Sequence, residues 1–324
     1  MPVEPRMALS EPVADRLACP RCGGRLRADP DGVGCDAGHR FPWRSGYLDF
    51  SGSGPEPGST AQTFLSFGYE WNTFDDVRDE DEAFGGIYFA DLDVESLRGK
   101  VGLDAGCGKG RYTRILARHL DEMVALDGSL AAEAAARNLG DLGNVTVVRS
   151  DLRRAPFAPQ SFDFISSLGV LHHLDDPRQG FSRLLELLAP GGQVLLYLYS
   201  RPEGRSLRGW ALAAATALRT VTVRMPHRLL RACSVPIAGL LWAGTVLPGR
   251  WGERRGIPAL ASLPMDTYRD KPFRSLVLDT FDRLSAPVEH RYVWSELAPW
   301  FEESGLVVDA ARDRAGWFVL AHRP

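Results

Sequence analysis

The chain contains 324 residues and has a formal net charge of −3 with a sequence pI of about 6.2. This length can bury one large hydrophobic core and carry a small additional domain. The slightly acidic balance excludes a protein that is basic over its whole surface, as many RNA-binding proteins are.

Two pairs of metal-binding residue types come first along the chain, within residues 1–50. Cys19 and Cys22 form one pair, and Cys35 with His39 forms the other. Three thiolates and one imidazole at this spacing predict a tetrahedral, structural Zn²⁺ site, which would stabilise a short segment with few large apolar side chains. Disulfide pairing is the alternative. We favour zinc because no cleavable signal peptide precedes Cys19, so that a reducing cytoplasm is expected.

A linker and an aromatic-rich segment are predicted next. Residues 51–60 are rich in glycine, serine and proline, which is typical of a linker. Residues 61–97 are expected to form a helical flap that carries Tyr69 and Trp71. These rings can bind a cationic ligand through a cation–π interaction, although an amphipathic helix packed on the sheet explains them equally well.

The glycine-rich turn in residues 101–110 is the most informative stretch of the sequence. An apolar run leads into Asp104, glycines follow at Gly106 and Gly108, and a helical segment begins at Arg111. Glycine tolerates positive φ and has no Cβ, so a strand, a glycine turn and a helix in this order let the backbone approach a bulky cofactor.

Further apolar runs alternate with helical segments downstream, at residues 122–126, 144–149, 162–166 and 193–199. This alternation predicts a doubly wound, mostly parallel sheet whose ligand binds at the carboxyl ends of the strands. Two more strands predicted within residues 291–324 bring the sheet to seven strands. The candidate binding residues that follow the runs are Asp127, Gly128, Asp151, Leu152, Leu168, His172 and His173.

Residues 98–200 resemble class I S-adenosylmethionine (SAM)-dependent methyltransferases, which have a Rossmann-like fold. The resemblance covers the glycine turn, the acid that ends the second strand, an Asp-Leu pair, a Gly-Val-Leu-His-His stretch and Leu-Ala-Pro-Gly-Gly, in that order. For each acid, a helix N-cap or turn role is the alternative. The resemblance implies SAM as cofactor, with Asp104, Gly106 and Gly108 around its methionine moiety, Asp127 at the ribose, Asp151 and Leu152 at the adenine, and residues 168–173 beside the sulfonium.

The amino-terminal segment resembles the zinc ribbon that precedes the methyltransferase domain of 23S rRNA guanine-N1 methyltransferases. Similar ribbons precede small-molecule methyltransferases, so this resemblance indicates the module rather than the substrate. Residues 67–71, Phe-Gly-Tyr-Glu-Trp, resemble a signature of methyltransferases from carbohydrate and secondary-metabolite pathways. We therefore expect methyl transfer to an oxygen of a sugar-containing or other specialised metabolite. The alternatives are an rRNA base methyltransferase and a SAM-binding protein with a regulatory or non-methyl-transfer role.

Histidines are the candidate general bases for such a transfer. The acceptor attacks the methyl group in line with the departing sulfur, and removal of the acceptor's proton assists the attack. His172 and His173 follow the fourth strand, and His290 lies near the carboxyl end.

Residues 201–290 are predicted to be a helical insertion on the substrate side of the core. Between residues 201 and 255, ten arginines stand against Glu203 and Glu253, an excess of +8. Three interpretations remain open: a lid over the substrate, peripheral contact with a membrane or a lipid-linked substrate, and an anion-binding patch. We expect the uncharged run at residues 235–247 to be too short to cross a bilayer. The expected partner is a small molecule rather than a nucleic acid.

Overall fold

The computed structural model describes residues 9–53, 58–74, 86–202, 207–314 and 316–324. It divides into two compact units, one formed by Met1–Glu203 with Val288–Pro324 and the other by Gly204–Pro287. Residues 54–57 of the predicted linker and residues 75–85 of the predicted flap lie outside the described residues.

A mostly parallel sheet forms the centre of the larger unit. Its strands β5 to β9 pair in parallel in the order β7-β6-β5-β8-β9, and β11 then pairs antiparallel with both β9 and β10. This arrangement confirms the predicted doubly wound sheet of the methyltransferase type. These strands are β5 (Val101–Ala105), β6 (Glu122–Asp127), β7 (Val145–Arg149), β8 (Phe162–Leu168), β9 (Leu188–Leu198), β10 (Val307–Asp313) and β11 (Trp317–His322).

The amino-terminal segment continues the same sheet. Its antiparallel strands are β1 (Leu26–Asp29), β2 (Gly32–Cys35), β3 (Arg40–Arg44) and β4 (Tyr47–Asp49). β4 pairs in parallel with β7, in the register Leu48 opposite Val148. Leu48 and Phe50 are fully buried in one hydrophobic core with Leu103 and Val124. The segment is therefore packed on the central sheet by apolar burial as well as by backbone pairing.

Helices cover the sheet and place the loops at its carboxyl edge. Helix α5 (Pro177–Leu187) shows how the local sequence begins a helix. The Asp176 carboxylate caps it by accepting from the backbone N–H of Gln179 at 2.9 Å, and Pro177 occupies its first turn. Phe181 and Leu184 on the same helix are buried against the sheet. The helices of this unit are α1 (Glu11–Ala14), α2 (Gly58–Thr73), α3 (Arg111–Leu116), α4 (Ala131–Leu139), α5 (Pro177–Leu187) and α10 (Trp294–Glu303).

The smaller unit is helical. Its helices are α6 (Leu207–Thr222), α7 (His227–Arg255), α8 (Pro258–Ala261) and α9 (Phe273–Ser285), and α9 packs on both α6 and α7. Helix α7 is continuous through Pro236 and through a π-helical turn at Trp242–Val246. Leu230 and Ala238 of α7 and Phe281 of α9 are buried in this unit.

The length of α7 corrects one sequence-based expectation. The uncharged run extends over residues 232–249, and the helix continues for a further turn at each end, to a total of 29 residues with a mean hydropathy of 1.5 in its most apolar window. By length and composition this helix is able to cross a membrane, so the expectation that the segment is too short was wrong. Its most apolar window is 22 % buried within the protein.

Candidate functional site

The four predicted metal ligands lie together at the turns of the amino-terminal segment. Their ligand atoms are all within 4.8 Å of one another. Cys19 Sγ and Cys35 Sγ lie 3.4 Å and 3.5 Å from His39 Nδ1, and Cys22 Sγ lies 3.7 Å from Cys35 Sγ. Zn–S bonds of about 2.3 Å and a Zn–N bond of about 2.0 Å in a tetrahedron imply edges of about 3.8 Å and about 3.5 Å between the ligand atoms. The cluster therefore has the dimensions of a tetrahedral Cys3His site.

The glycine turn after β5 is bent sharply and packed closely. Gly106 and Gly108 have φ values of +91° and +54°, in the left-handed region that favours glycine. A Cβ on Gly106 would lie 2.2 Å from Val170 Cγ2, and one on Gly108 would lie 3.1 Å from Trp71 Nε1. The backbone N–H groups of Gly106 and Cys107 both donate to the Leu126 carbonyl, at 2.7 Å and 3.0 Å, which ties the turn to the end of β6.

Asp127 ends β6 beside this turn. Its Oδ2 accepts from the backbone N–H of Gly108 at 3.0 Å, and its Oδ1 accepts from the Ser129 backbone N–H at 2.8 Å and from the Ser129 hydroxyl at 2.6 Å. A carboxylate offers about four lone-pair positions. These three bonds hold the side chain at the turn and leave capacity for a ligand hydroxyl.

A cleft of about 830 Å³, including its open mouth, lies between the glycine turn and helix α2. Of the predicted site residues, those that line it are Gly106, Gly108, Asp127, Gly128, Leu152, Leu168 and His173.

Helix α2 supplies Trp71, which the sequence analysis singled out, together with cleft residues that it did not. Phe64, Phe67 and Trp71 line the cleft, together with Lys109 and Arg111 beyond the glycine turn. The three aromatic side chains recur at the spacing of one helical face, which is the signal that identifies them. The Arg111 guanidinium lies 5.5 Å from the centre of the Trp71 ring, so a cation already covers one aromatic wall.

Tyr69 is absent from the described residues that line the cleft. On α2 it lies two positions after Phe67, roughly 200° around the helix axis, and this rotation points it away from the face that carries Phe64 and Trp71. Its cofactor role stays a prediction.

Asp104 is buried beneath the cleft rather than exposed in it. Its carboxylate is 2 % exposed and accepts from the hydroxyls of Thr113 at 2.6 Å and Ser166 at 3.1 Å. Burial raises the pKa of Asp104 to about 6, although the two hydroxyl donors act in the opposite direction. Among the described residues, Asp104 braces the strand ends under the glycine turn and does not line the cleft.

Asp151 follows β7, and its side chain is held by Arg153 of the same loop. Its carboxylate forms an ion pair with the Arg153 guanidinium at 2.6 Å and accepts from the backbone N–H of Arg153 at 2.9 Å. Only its neighbour Leu152 is among the described residues that line the cleft. Of the three predicted strand-tip acids, Asp127 is therefore the one that the structure places on the cleft.

The three candidate histidines lie close together but face different surroundings. His173 lines the cleft, and its Nδ1 is 2.7 Å from the carbonyl oxygen of Val288. His172 is fully buried, its ring centroid lies 3.9 Å from that of Tyr199 with the two rings tilted by 30°, and burial lowers its pKa well below the usual value. The His290 backbone N–H donates to the His172 carbonyl at 2.8 Å. Among the described residues, His172 and His290 do not line the cleft.

Comparison with known proteins identifies the central part of the chain. Residues 103–196, which run from β5 into β9, match the family model described as a methyltransferase domain. An uncharacterized protein of Synechococcus sp. is 32 % identical over 222 residues, 66 % of this chain and 49 % of that protein. The 2-phytyl-1,4-naphtoquinone methyltransferase of Thermosynechococcus vestitus is 33 % identical over 118 residues, 35 % of this chain and 52 % of that one.

A solved structure of similar extent is the 1,6-didemethyltoxoflavin-N1-methyltransferase of Burkholderia thailandensis. It is 14 % identical, covers 83 % of this chain and 92 % of its own, and superposes with a TM-score of 0.47. The chain spans about half the length of the curated relatives it matches. It carries a methyltransferase domain, and the domain match together with methyltransferase relatives supports an enzyme of the SAM-dependent class.

Proposed function

We propose that the whole protein is a SAM-dependent methyltransferase that acts on an oxygen of a small molecule, a sugar-containing or other specialised metabolite. The observation that carries this proposal is the cleft in which a Cβ-free turn, the Asp127 carboxylate and an aromatic helix face converge. Such a cleft suits a ligand with a bulky polar part, a ribose and a cationic centre.

The residues that line the cleft fit the parts of SAM. The backbone at Gly106 and Gly108 can lie against the methionine moiety because no side chain intervenes, and Asp127 can accept from a ribose hydroxyl. Leu152 provides an apolar surface for the adenine. When bound, SAM supplies an electrophilic methyl group on a sulfonium. Asp104 and Asp151 then contribute by holding the strand ends and the loop after β7.

His173 is the best placed of the three candidate bases. Because a carbonyl oxygen only accepts hydrogen bonds, the contact with Val288 keeps the proton on Nδ1 of a neutral His173 and leaves the lone pair on Nε2. Nε2 can accept the proton of an acceptor hydroxyl as that oxygen attacks the methyl group. His172 and His290 are then positioning residues for this loop, since the backbone bond between them joins the two segments.

Two features favour a small acceptor over an RNA. The cleft is covered by the aromatic face of α2, and the chain carries a net charge of −3. An RNA-binding site usually presents a basic surface at its mouth. The resemblance of the amino-terminal segment to a ribbon of rRNA methyltransferases keeps RNA as the competing acceptor, because that module occurs with both substrate classes.

We also propose that the Cys3His cluster binds one structural Zn²⁺. The distances between its ligand atoms match a closed tetrahedral site, in which four protein ligands leave no open position for chemistry. Its role is then to hold β1 to β4 in the form that pairs with β7.

Methyl-labelled SAM incubated with a panel of phenols, sugars, quinols and a structured RNA tests the proposed function. We expect label in at least one hydroxyl-bearing small molecule, and a drop in its rate of at least about hundredfold in His173→Gln. His119→Gln is the matched control, because His119 lies at the opposite end of the strands and outside the cleft. Transfer to the RNA alone would contradict the small-molecule acceptor.

A further inference from the structure

Helix α7 presents an apolar face to the surroundings of the protein. Leu229, Leu240, Leu247 and Trp251 are between 47 % and 77 % exposed. Exposed positions recur every three or four residues along α7, through the π-helical turn, which places them along one side of the helix. They are Leu229, Ala232, Pro236, Leu240, Ala243, Leu247 and Trp251. An exposed apolar stripe of this length is unusual on a soluble protein and indicates an interaction surface.

Positive charge flanks this stripe at both ends. Arg228 and Arg231 are exposed in its first turns, and Arg254 and Arg255 are exposed in its last. The Arg255 guanidinium lies 5.6 Å from the centre of the Trp251 ring, which joins a cation to an amphipathic ring at the edge of the stripe. An apolar stripe bordered by arginine and tryptophan matches the boundary between the acyl chains and the headgroups of an anionic lipid layer.

The opposite side of α7 is fixed within the helical unit. Leu230, Ser234 and Ala238 are buried, and the helix packs on α9. A Cβ on Gly252 would lie 2.4 Å from Leu260 Cβ, so α8 is also in tight contact. The side of α7 that carries these residues is therefore occupied by other parts of the helical unit.

Charged groups on the packed side argue against insertion through a bilayer. Arg269 is 5 % exposed and forms an ion pair with Glu253 of α7 at 2.5 Å. The Tyr268 hydroxyl donates to Asp279 of α9. A spanning α7 would carry these groups into or against the hydrocarbon, where ionised side chains are strongly disfavoured. A helix that lies in the plane of the interface keeps them on the water side.

We propose that α7 binds this protein peripherally to the surface of an anionic phospholipid bilayer, through the stripe of Leu229, Leu240, Leu247 and Trp251 and the flanking arginines. The residues of this surface are not among those that line the cleft, and the proposal does not depend on methyl transfer. The apolar side chains enter the headgroup boundary, and the guanidinium groups contact lipid phosphates.

Co-sedimentation of the full chain with lipid vesicles tests the proposal. The probes are vesicles of phosphatidylcholine alone and of phosphatidylcholine with phosphatidylglycerol at about 2:1. We expect the wild-type protein to bind the mixed vesicles at least about tenfold more tightly than the neutral ones. Salt at about 0.5 M should release most of the bound protein. Carbonate-resistant association would instead indicate a spanning helix and would overturn the peripheral arrangement.

Matched variants separate the two parts of the surface. Leu240→Glu/Leu247→Glu should weaken binding to the mixed vesicles by at least about tenfold, whereas Val307→Glu, at an exposed apolar position on β10, should leave it unchanged. Arg228→Glu/Arg231→Glu should abolish the preference for anionic lipid, and Arg314→Glu should retain it. Leu240→Ala/Leu247→Ala supplies a milder change, and circular dichroism checks that each variant keeps its helices.

The remaining outcomes are decisive. Vesicle binding that is equal for neutral and anionic lipid, or that is insensitive to the stripe variants, would overturn the proposal. Self-association that is lost in Leu240→Glu/Leu247→Glu without any vesicle binding would assign the stripe to a second copy of the chain. Because SAM binding is measured separately, failure of the cleft assignment and failure of this one are distinguishable.

Discussion

The two units of the chain place their apolar side chains differently. In the larger unit the central strands β5 to β8 are buried on both faces, and the exposed large apolar residues include Leu65, Ile87, Leu130 and Val307. In the smaller unit, exposed apolar residues follow one another along α6 and α7, as Leu218, Val221, Leu229, Val235, Leu240, Leu247 and Trp251.

The two units therefore differ in the kind of binding surface that they present. The larger unit buries its central apolar strands and carries a cleft at the strand ends, which is where a parallel sheet binds small ligands. The smaller unit encloses a modest apolar centre and leaves a stripe outside. Burial accounts for the first arrangement, and the second is the basis of the proposed bilayer contact.

Loss of the metal cluster should produce the largest effect, and it should be confined to the larger unit. Cys35→Ser removes a proposed zinc ligand, so the segment that carries β4 should lose several kcal/mol of stability. Hydrogen exchange measured by mass spectrometry should show protection lost in β1 to β4 and retained in α7. Cys233→Ser, at a half-buried cysteine in α7, is the control and should retain the metal. Equal zinc content in both variants would refute the assignment.

Alanine at two left-handed glycines should sharpen the comparison. Gly106 and Gly256 both have positive φ, but a Cβ at Gly106 meets Val170 at 2.2 Å, whereas a Cβ at Gly256 meets nothing within 4 Å. We expect Gly256→Ala to cost about 1 kcal/mol and Gly106→Ala about 2–4 kcal/mol, measured by urea unfolding. Adding Val170→Ala should restore part of the Gly106→Ala loss. A cost of the same size at both positions would contradict the tight packing of the turn.

Acid titration should reveal the raised pKa of Asp104 in the larger unit. Its folded-state pKa of about 6 is above the unfolded value of 3.8, so the folded state binds more protons between these pH values. The contribution of this group to stability therefore declines as the pH rises from about 4 to about 6 and is level above that. The free energy of unfolding of the wild-type protein minus that of Asp104→Asn should be about 2 kcal/mol larger at pH 4.5 than at pH 7.5. A difference that does not vary with pH would show that the carboxyl group titrates normally.

The sheet could be predicted from the sequence because its signals are local. Apolar runs alternate with helical segments within residues 98–200, with one glycine turn and an acid at or near the ends of three strands, and the observed parallel pairing agrees with them. The joining of β4 to β7 could not be predicted, because it depends on pairing between residues about a hundred positions apart.

The glycine turn of the site could be predicted from the sequence, whereas the orientation of each acidic side chain could not. Gly106, Gly108 and Asp127 line the cleft as the sequence pattern implies, whereas Asp104 and Asp151 form hydrogen bonds within the protein. A strand-end acid can face either a ligand or a neighbouring donor, and the sequence does not state which donor folds close to it. The sequence analysis selected Trp71 and Tyr69 together because both are aromatic. The rotation of α2 between these two positions places Trp71 on the cleft and points Tyr69 away from it.

Calorimetric titration of SAM tests the central claim most directly, because it requires no knowledge of the acceptor. Asp127 and Asp121 are at opposite ends of β6, so Asp121→Asn, where the carboxylate accepts from the Gly99 backbone N–H, is the matched control for Asp127→Asn. We predict that the wild-type protein and Asp121→Asn bind SAM with equal affinity. Asp127→Asn should bind about 10- to 100-fold more weakly, through loss of a hydrogen bond to a charged acceptor. Failure of the wild-type protein to bind SAM, or equal affinity in all three proteins, would contradict the account.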